Sequence, residues 1–169
     1  MKITYFTCLL GMLLISCDEP KEERSLNPDN WSKRAVEINP DDSLVNGKSY
    51  LSVYSQIYSL SEHKTQSLTA MISMRNTSET DTIYITRAEY FETHGESVRN
   101  YFEKPIYLAP LETTEIVIEE KDDSGGTGSN FIFEWKTPQN CPEPFFEGVM
   151  SSILSQQGLS FTTQGIRIE

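Results

Sequence analysis

The strongest constraint on this chain is a two-residue rhythm that recurs from Ser49 nearly to the C-terminus. Leu51, Val53, Ser55 and Ile57 alternate with Tyr50, Ser52, Tyr54, Gln56 and Tyr58. Leu68, Ala70, Ile72 and Met74 alternate with Thr69, Met71, Ser73 and Arg75, and Ile83 and Ile85 with Tyr84 and Thr86. Thr114, Ile116 and Ile118 alternate with Glu115, Val117 and Glu119; Phe131, Phe133 and Trp135 alternate with Ile132 and Glu134. Side chains along a strand point to opposite faces in turn, so this pattern marks strands with one buried face.

Turn formers separate these runs: Asn76-Thr77-Ser78, His94-Gly95-Glu96, Ala109-Pro110, Asp122 to Asn130, Pro138 to Pro144, and Gln156-Gln157-Gly158. Further strands are expected at Gly148–Leu154 and Leu159–Thr163, and Phe145–Leu154 fits a short helix as well as a strand. No helix-period segment is long enough for a βαβ unit, which sets aside α/β enzymes. The expected fold is all-β: an antiparallel β-sandwich, immunoglobulin-like, of about seven to nine strands.

The N-terminus reads differently. Lys2 precedes an apolar run, Ile3 to Ile15, that holds no acidic residue. This is the layout of an export signal, shorter than the roughly 20 apolar residues of a membrane span. The run ends in Leu14-Ile15-Ser16-Cys17, which resembles the lipobox of bacterial lipoproteins. The resemblance implies a diacylglycerol on Cys17, cleavage before it, and a membrane as one partner; two or more acyl chains suffice for stable anchoring. The alternative is a simple cleaved signal with a chance cysteine.

The expected organisation is therefore a signal peptide over 1–16, a lipidated cysteine and flexible tether over 17–47, and a sandwich domain over 48–169. The tether is charged at Asp18-Glu19-Pro20-Lys21-Glu22-Glu23-Arg24 and turn-forming at Asn27-Pro28-Asp29-Asn30 and Asn39-Pro40-Asp41-Asp42. Little in it can bury a face, so disorder is expected.

Charge and cysteine content narrow the partners. Asp and Glu number 25 against 14 Lys and Arg, a net charge of −11, which argues against nucleic acid. Of three cysteines, Cys8 leaves with the signal and Cys17 is acylated. Cys141 alone remains, so the mature chain is expected to have no internal disulfide.

Several phrases occur together: Val53-Tyr54-Ser55-Gln56-Ile57-Tyr58, Leu68-Thr69-Ala70 with Arg75-Asn76-Thr77, Leu108-Ala109-Pro110-Leu111, Asp123 to Phe131 leading to Trp135, and Gln157-Gly158-Leu159-Ser160-Phe161. As a set they resemble an uncharacterised domain-of-unknown-function family of bacterial envelope lipoproteins, over residues 50 to 164. The resemblance implies a secreted β-rich domain and carries no activity with it. The Arg-Asn-Thr and Leu-Ala-Pro-Leu phrases are also similar to strand–turn patterns of immunoglobulin-like modules, an analogy of fold only.

Two candidate sites stand out. The Gly-rich loop carries Asp122, Asp123, Ser124, Gly125, Gly126, Gly128 and Asn130. Its competing readings are a mobile connection, a partner-binding loop, and a calcium site, since calcium takes roughly six to eight oxygen ligands. It lacks the EF-hand alternation and the Gly-Lys-Ser/Thr of a phosphate loop. The second candidate is an aromatic face of Tyr50, Tyr54 and Tyr58, read as even positions of one strand, able to underlie a glycan or peptide, or covered by the opposing sheet.

Met71 and Met74, three apart, fall on opposite strand faces and so cannot chelate copper together. His63 and His94 read as surface turn residues. Glu89, Glu92 and Glu134 are the carboxylates to test for glycoside hydrolysis, which needs a pair set by three-dimensional spacing. No nucleophile or metal motif is present, and no catalytic residue, metal site or bound cofactor is assigned beyond possible calcium. The expected role is a non-catalytic, lipid-anchored binding or scaffold module of the cell envelope, in the periplasm or on the outer-membrane surface, with an envelope protein or glycan as partner. A small carboxylate hydrolase and a calcium-stabilised adhesion-type domain are the alternatives.

Overall fold

The computed structural model describes residues 31–154 and 157–169. The expected signal peptide, Cys17 and the first part of the tether lie outside the described residues. Among the described residues, no helix is long and apolar enough to cross a membrane.

Chain order is α1 (Trp31–Arg34), β1 (Leu44–Ser52), β2 (Gln56–Ser59), β3 (Ser61–Ser67), β4 (Thr69–Arg75), β5 (Ile83–Phe91), β6 (Ser97–Asn100), β7 (Ile106–Leu108), β8 (Thr113–Ile118), β9 (Asn130–Pro138), β10 (Phe145–Leu154), β11 (Gln157–Gln164) and β12 (Ile166–Arg167). The protein is an all-β antiparallel sandwich. One sheet has the order β12-β1-β9-β5-β6, with β7 also pairing β5; the other is β11-β10-β4-β8; β2 and β3 form a separate hairpin. The described residues form twelve strands against the expected seven to nine, because β3, β6, β7 and β12 are short or polar and leave little period-two signal, and the run over 49–58 divides into β1 and β2. Phe145–Leu154 is a strand, paired with both β4 and β11.

The buried faces meet in one core. Phe131, Phe133 and Trp135 of β9 and Leu51 of β1 face Ala70, Ile72 and Met74 of β4, Ile116 and Ile118 of β8, and Phe146 and Met150 of β10, all buried. Phe133 stacks on Phe146 across the sheets with ring centroids 4.1 Å apart and planes within 5°. Fully burying each such side chain stabilises by about 1.5–3 kcal/mol relative to exposure. Trp135 lies across Gly47 on the paired strand, where an added Cβ would sit 2.2 Å from the indole. Its Nε1 donates to Ser49 Oγ at 3.0 Å.

A β-bulge in β5 keeps its buried face inward. Ile85 pairs with Trp135 but Arg87 pairs with Glu134, so Thr86 is an extra residue. Ile83 and Ile85 are buried before it, Ala88 and Tyr90 after it. The bulge therefore puts two consecutive side chains, Thr86 and Arg87, on the outer face.

The ends of the sandwich differ. At one end lie the tips after Ser52, Phe91 and Ile118 and the start of β9. At the other, Asn76 ties the two sheets together: its Nδ2 donates to Asp81 O (2.7 Å), Leu108 O (3.1 Å) and Ala109 O (3.0 Å), and its Oδ1 accepts Ser78 N–H at 2.9 Å. The expected tether boundary shifts here. Trp31 packs on Phe102 with centroids 5.5 Å apart, Arg34 pairs with Glu112 at 2.7 Å, Ala35 bridges Ile106, and β1 starts at Leu44 rather than after 47. An indole with an apolar partner and an arginine with a carboxylate are enough to hold a polar segment to the domain. Residues 31–44 thus join at the Asn76 end.

Candidate functional site

Three segments converge at the opposite end: the β5–β6 turn (92–96), the β2–β3 hairpin and the β8–β9 connection that contains the Gly-rich loop. Local chemistry fixes the loop. Gly126 has φ +70°, a conformation that favours glycine. At Gly125 a Cβ would fall 1.7 Å from the Tyr90 hydroxyl oxygen, so only glycine fits without a shift.

Hydrogen bonds then tie the loop to both neighbours. The Thr93 backbone N–H (3.1 Å) and Oγ1 (3.0 Å) both donate to Gly125 O, and Gly128 N–H donates to Thr93 Oγ1 at 3.0 Å. Gly126 O accepts from Gln56 N–H and Ser55 Oγ, each at 3.1 Å. Below, buried Tyr90 donates to Ser129 Oγ (3.2 Å), which donates to Val53 O (2.8 Å). Burial pushes the Tyr90 phenol above its ordinary value, so it stays a neutral donor. The loop is thus tied by hydrogen bonds on both sides.

Asp122 braces its start, accepting from Arg99 Nη2 at 3.0 Å and Ser124 Oγ at 2.6 Å. Partial burial pushes the Asp122 carboxyl up, but the Ser124 and Arg99 hydrogen bonds and the Arg99 charge outweigh it and hold the carboxyl below the usual range.

Above this frame opens a cleft of about 350 Å³, lined by Gln56, Tyr58, Thr65, Glu92, Thr93, His94 and loop residues Asp123 to Thr127. It offers one aromatic ring, an amide, hydroxyls, an imidazole and carboxylates, the donors and acceptors of a polar binding surface. Asp123, Ser124, Gly125 and Gly126 are all in its wall. Gly128 is fixed to Thr93 behind it. Asn130 lies instead in the β9 ladder, opposite Ser52 and Phe91. Among the described residues no three His, Cys, Asp or Glu side chains converge to hold a metal ion, and Asp122 is already committed to Arg99.

The tyrosines do not form one face. Tyr50 is on β1, but the strand ends at Ser52. Tyr54 lies in the connection, edge-on to Phe161 with centroids 5.8 Å apart, and Tyr58 is on β2, 62% exposed. The rhythm persists because Ser49, Leu51, Val53 and Ser55 are all buried. The chain changes partner beneath it, from β9 to Ser129 O and then Gly126 O. Of the three, Tyr58 alone lines the cleft.

The other candidates separate. Arg87 stands between Glu89 and Glu134, bonding both, and Ser97 Oγ donates to Glu89 Oε1 at 2.5 Å. Partial burial raises the Glu89 carboxyl, but the Ser97 and Arg87 bonds and the Arg87 charge more than offset it and hold it low, the wrong direction for a general acid. Glu92 Oε1 accepts the backbone N–H of His94 (2.6 Å) and Glu96 (2.9 Å), shaping the turn. His63 lies on β3 rather than in a turn, and His94 is in the turn at the cleft rim. Met74 is buried and Met71 half-buried, on opposite faces. Thr93, Tyr90 and Ser129, which fix the site, gave no signal in the sequence, since nothing local marks a threonine as the partner of a distant glycine.

Fold and site together define the class: an antiparallel all-β sandwich with a loop-built cleft at one end. Residues 46–168 match the family described as protein of unknown function (DUF3124), and the chain belongs to that family. No curated protein matches the chain. A solved structure described as "Crystal Structure of Thermotoga maritima 1070" is similar to 71% of this chain and 92% of that one, at 12% identity and a TM-score of 0.44.

Proposed function

We propose that this protein is a non-catalytic binding or scaffold module of the bacterial cell envelope, held to a membrane by lipid on Cys17, that receives its partner at the loop-end cleft. The observation that carries this reading is the opposition of the two ends. Residues 31–44 enter at the Asn76 end, and the cleft lies at the opposite end of the domain. Loops fixed on a rigid sandwich are a common way to present a binding surface. The exposed tips Tyr58, Leu60 and Ile153 add apolar contact area there. The partner is an envelope protein or a glycan.

The finer immunoglobulin-like reading draws on the β4–β8 and β5–β9 pairs, which correspond to the B–E and C–F pairs of that fold. It departs in one respect. β1 lies beside β9 and β10 beside β4, exchanging the places held there by the last and first strands.

Photo-crosslinking in cells tests the proposal. A crosslinkable residue replaces Thr127 at the cleft, or Glu79 at the other end, in tagged full-length protein. One dominant adduct from position 127, absent from 79 and lost from membranes with Cys17→Ser, is expected. Equal adducts from both ends, or membrane retention of the Cys17→Ser chain, overturns it.

A further inference from the structure

The outer face of the six-stranded sheet holds a second site, unrelated to the loop-end cleft. All five arginines of the described residues, Arg34, Arg75, Arg87, Arg99 and Arg167, have a carboxylate partner. Of the six lysines of the described residues, Lys48 and Lys121 pair with a carboxylate, and Lys33, Lys64, Lys104 and Lys136 do not. Lys104 and Lys136 have no ion pair among the described residues, yet both line one cavity of about 530 Å³. Its other walls are Val36, Ile38 and Pro105, with Glu37 as its single acidic group.

The bulge in β5 sets the floor. Thr86, the extra residue, lines this cavity and an adjoining one of about 340 Å³, as does Lys136. Glu134, which neighbours Lys136 by two positions on β9, is drawn away by Arg87 at 2.7 Å. Two ammonium groups against one carboxylate leave the cavity net cationic in a strongly acidic protein. The apolar strap of Val36 and Ile38, fixed by Val36 N–H to Pro105 O at 2.9 Å, covers one side.

We propose that this groove binds a small oxyanion, phosphate or carboxylate, carried on an apolar stem: the lysines and the Thr86 hydroxyl take the anion, and Val36, Ile38 and Pro105 take the stem. An oxyanion between two ammonium groups that have no carboxylate partner gains charge-assisted hydrogen bonds.

The test is a titration of the isotope-labelled full chain in an uncharged detergent, following backbone amide signals, with hexyl phosphate, inorganic phosphate and hexanol. Saturable shifts at Thr86, Lys104 and Lys136 with hexyl phosphate are expected, and none with hexanol. Inorganic phosphate binding equally well overturns the role given to the apolar stem; preferential binding of hexyl phosphate supports an amphiphile such as a lipid headgroup. Lys104→Gln and Lys136→Gln should each weaken binding by about tenfold. Lys64→Gln, which removes an unpaired lysine on β3, should leave it unchanged. No saturation below roughly 10 mM, or equal weakening by all three variants, overturns the proposal.

Discussion

The backbone of Gly125 passes so close over Tyr90 that a methyl group on it would stand 1.7 Å from the phenol oxygen and 2.5 Å from Cζ. The loop backbone thus rests directly on the phenol of a residue of the core strand β5, and Gly125 is a packing position as much as a turn. Gly125→Ala should lose about 1–3 kcal/mol of stability in urea unfolding, the usual cost of overpacking. Gly128→Ala, whose added Cβ would meet Thr93 Cγ2 at 3.4 Å, should change it by no more than about 0.5 kcal/mol. Equal effects of the two would mean that the loop is not seated on Tyr90.

Asn76 should be among the costliest polar residues to remove. It is 3% exposed and its amide serves three carbonyls and one N–H. Asn76→Ala strands these groups away from water and should cost about 2–4 kcal/mol. Asn76→Asp should be no better, because a carboxylate oxygen then faces the carbonyls of Leu108 and Ala109. Thermal or urea unfolding of the pair of variants decides it.

Acid should loosen the site through Asp122. Its carboxyl titrates lower in the folded chain than in the unfolded one, so its contribution is complete above the unfolded value near 4. It is lost as pH falls through the lower folded value. Over that window the unfolded chain holds more protons and stability rises with pH. Asp122→Asn should flatten the rise; Glu89, also held low, keeps part of it. Unfolding curves between pH 2.5 and 5, the window about that ordinary value, measure the slope.

Cys141 should be a slow thiol. Burial pushes it up, the Ser78 hydroxyl only partly offsets this, and the nearby Asp81 charge adds to it. Alkylation by iodoacetamide at neutral pH should run slower than for free cysteine and accelerate as pH passes the ordinary thiol value. A rate equal to free cysteine would contradict this.

The long strands were legible because one face of each is buried. Leu68, Ala70, Ile72 and Met74 are all fully buried, as the alternation required. What the rhythm could not reveal is which strand a segment pairs with. The buried positions run on through Val53 and Ser55 while the ladder changes, so an unbroken rhythm spans tyrosines that do not share a strand. Nor could it find the bulge, since one inserted residue ends the alternation at Thr86 and the second half of β5 then reads as noise. The Gly-rich loop was visible from its glycines, but the reason for Gly125 lies in Tyr90, thirty-five positions earlier in the chain. The lysine groove was invisible for a similar reason: Lys104 and Lys136 are ordinary residues until their lack of partners is known.

The pairing of β1 with β9 sets a timetable for the molecule. Ser52 waits for Asn130 and Leu44 for Pro138, so the first strand emerges from its synthesis roughly eighty to ninety residues ahead of the strand that completes it. Until then its edge is open to any other chain, and the hairpin β2–β3, whose partners are local, is free to form first. The run Asn46-Gly47-Lys48-Ser49, polar on both faces, makes a wrong neighbour for that early strand less attractive.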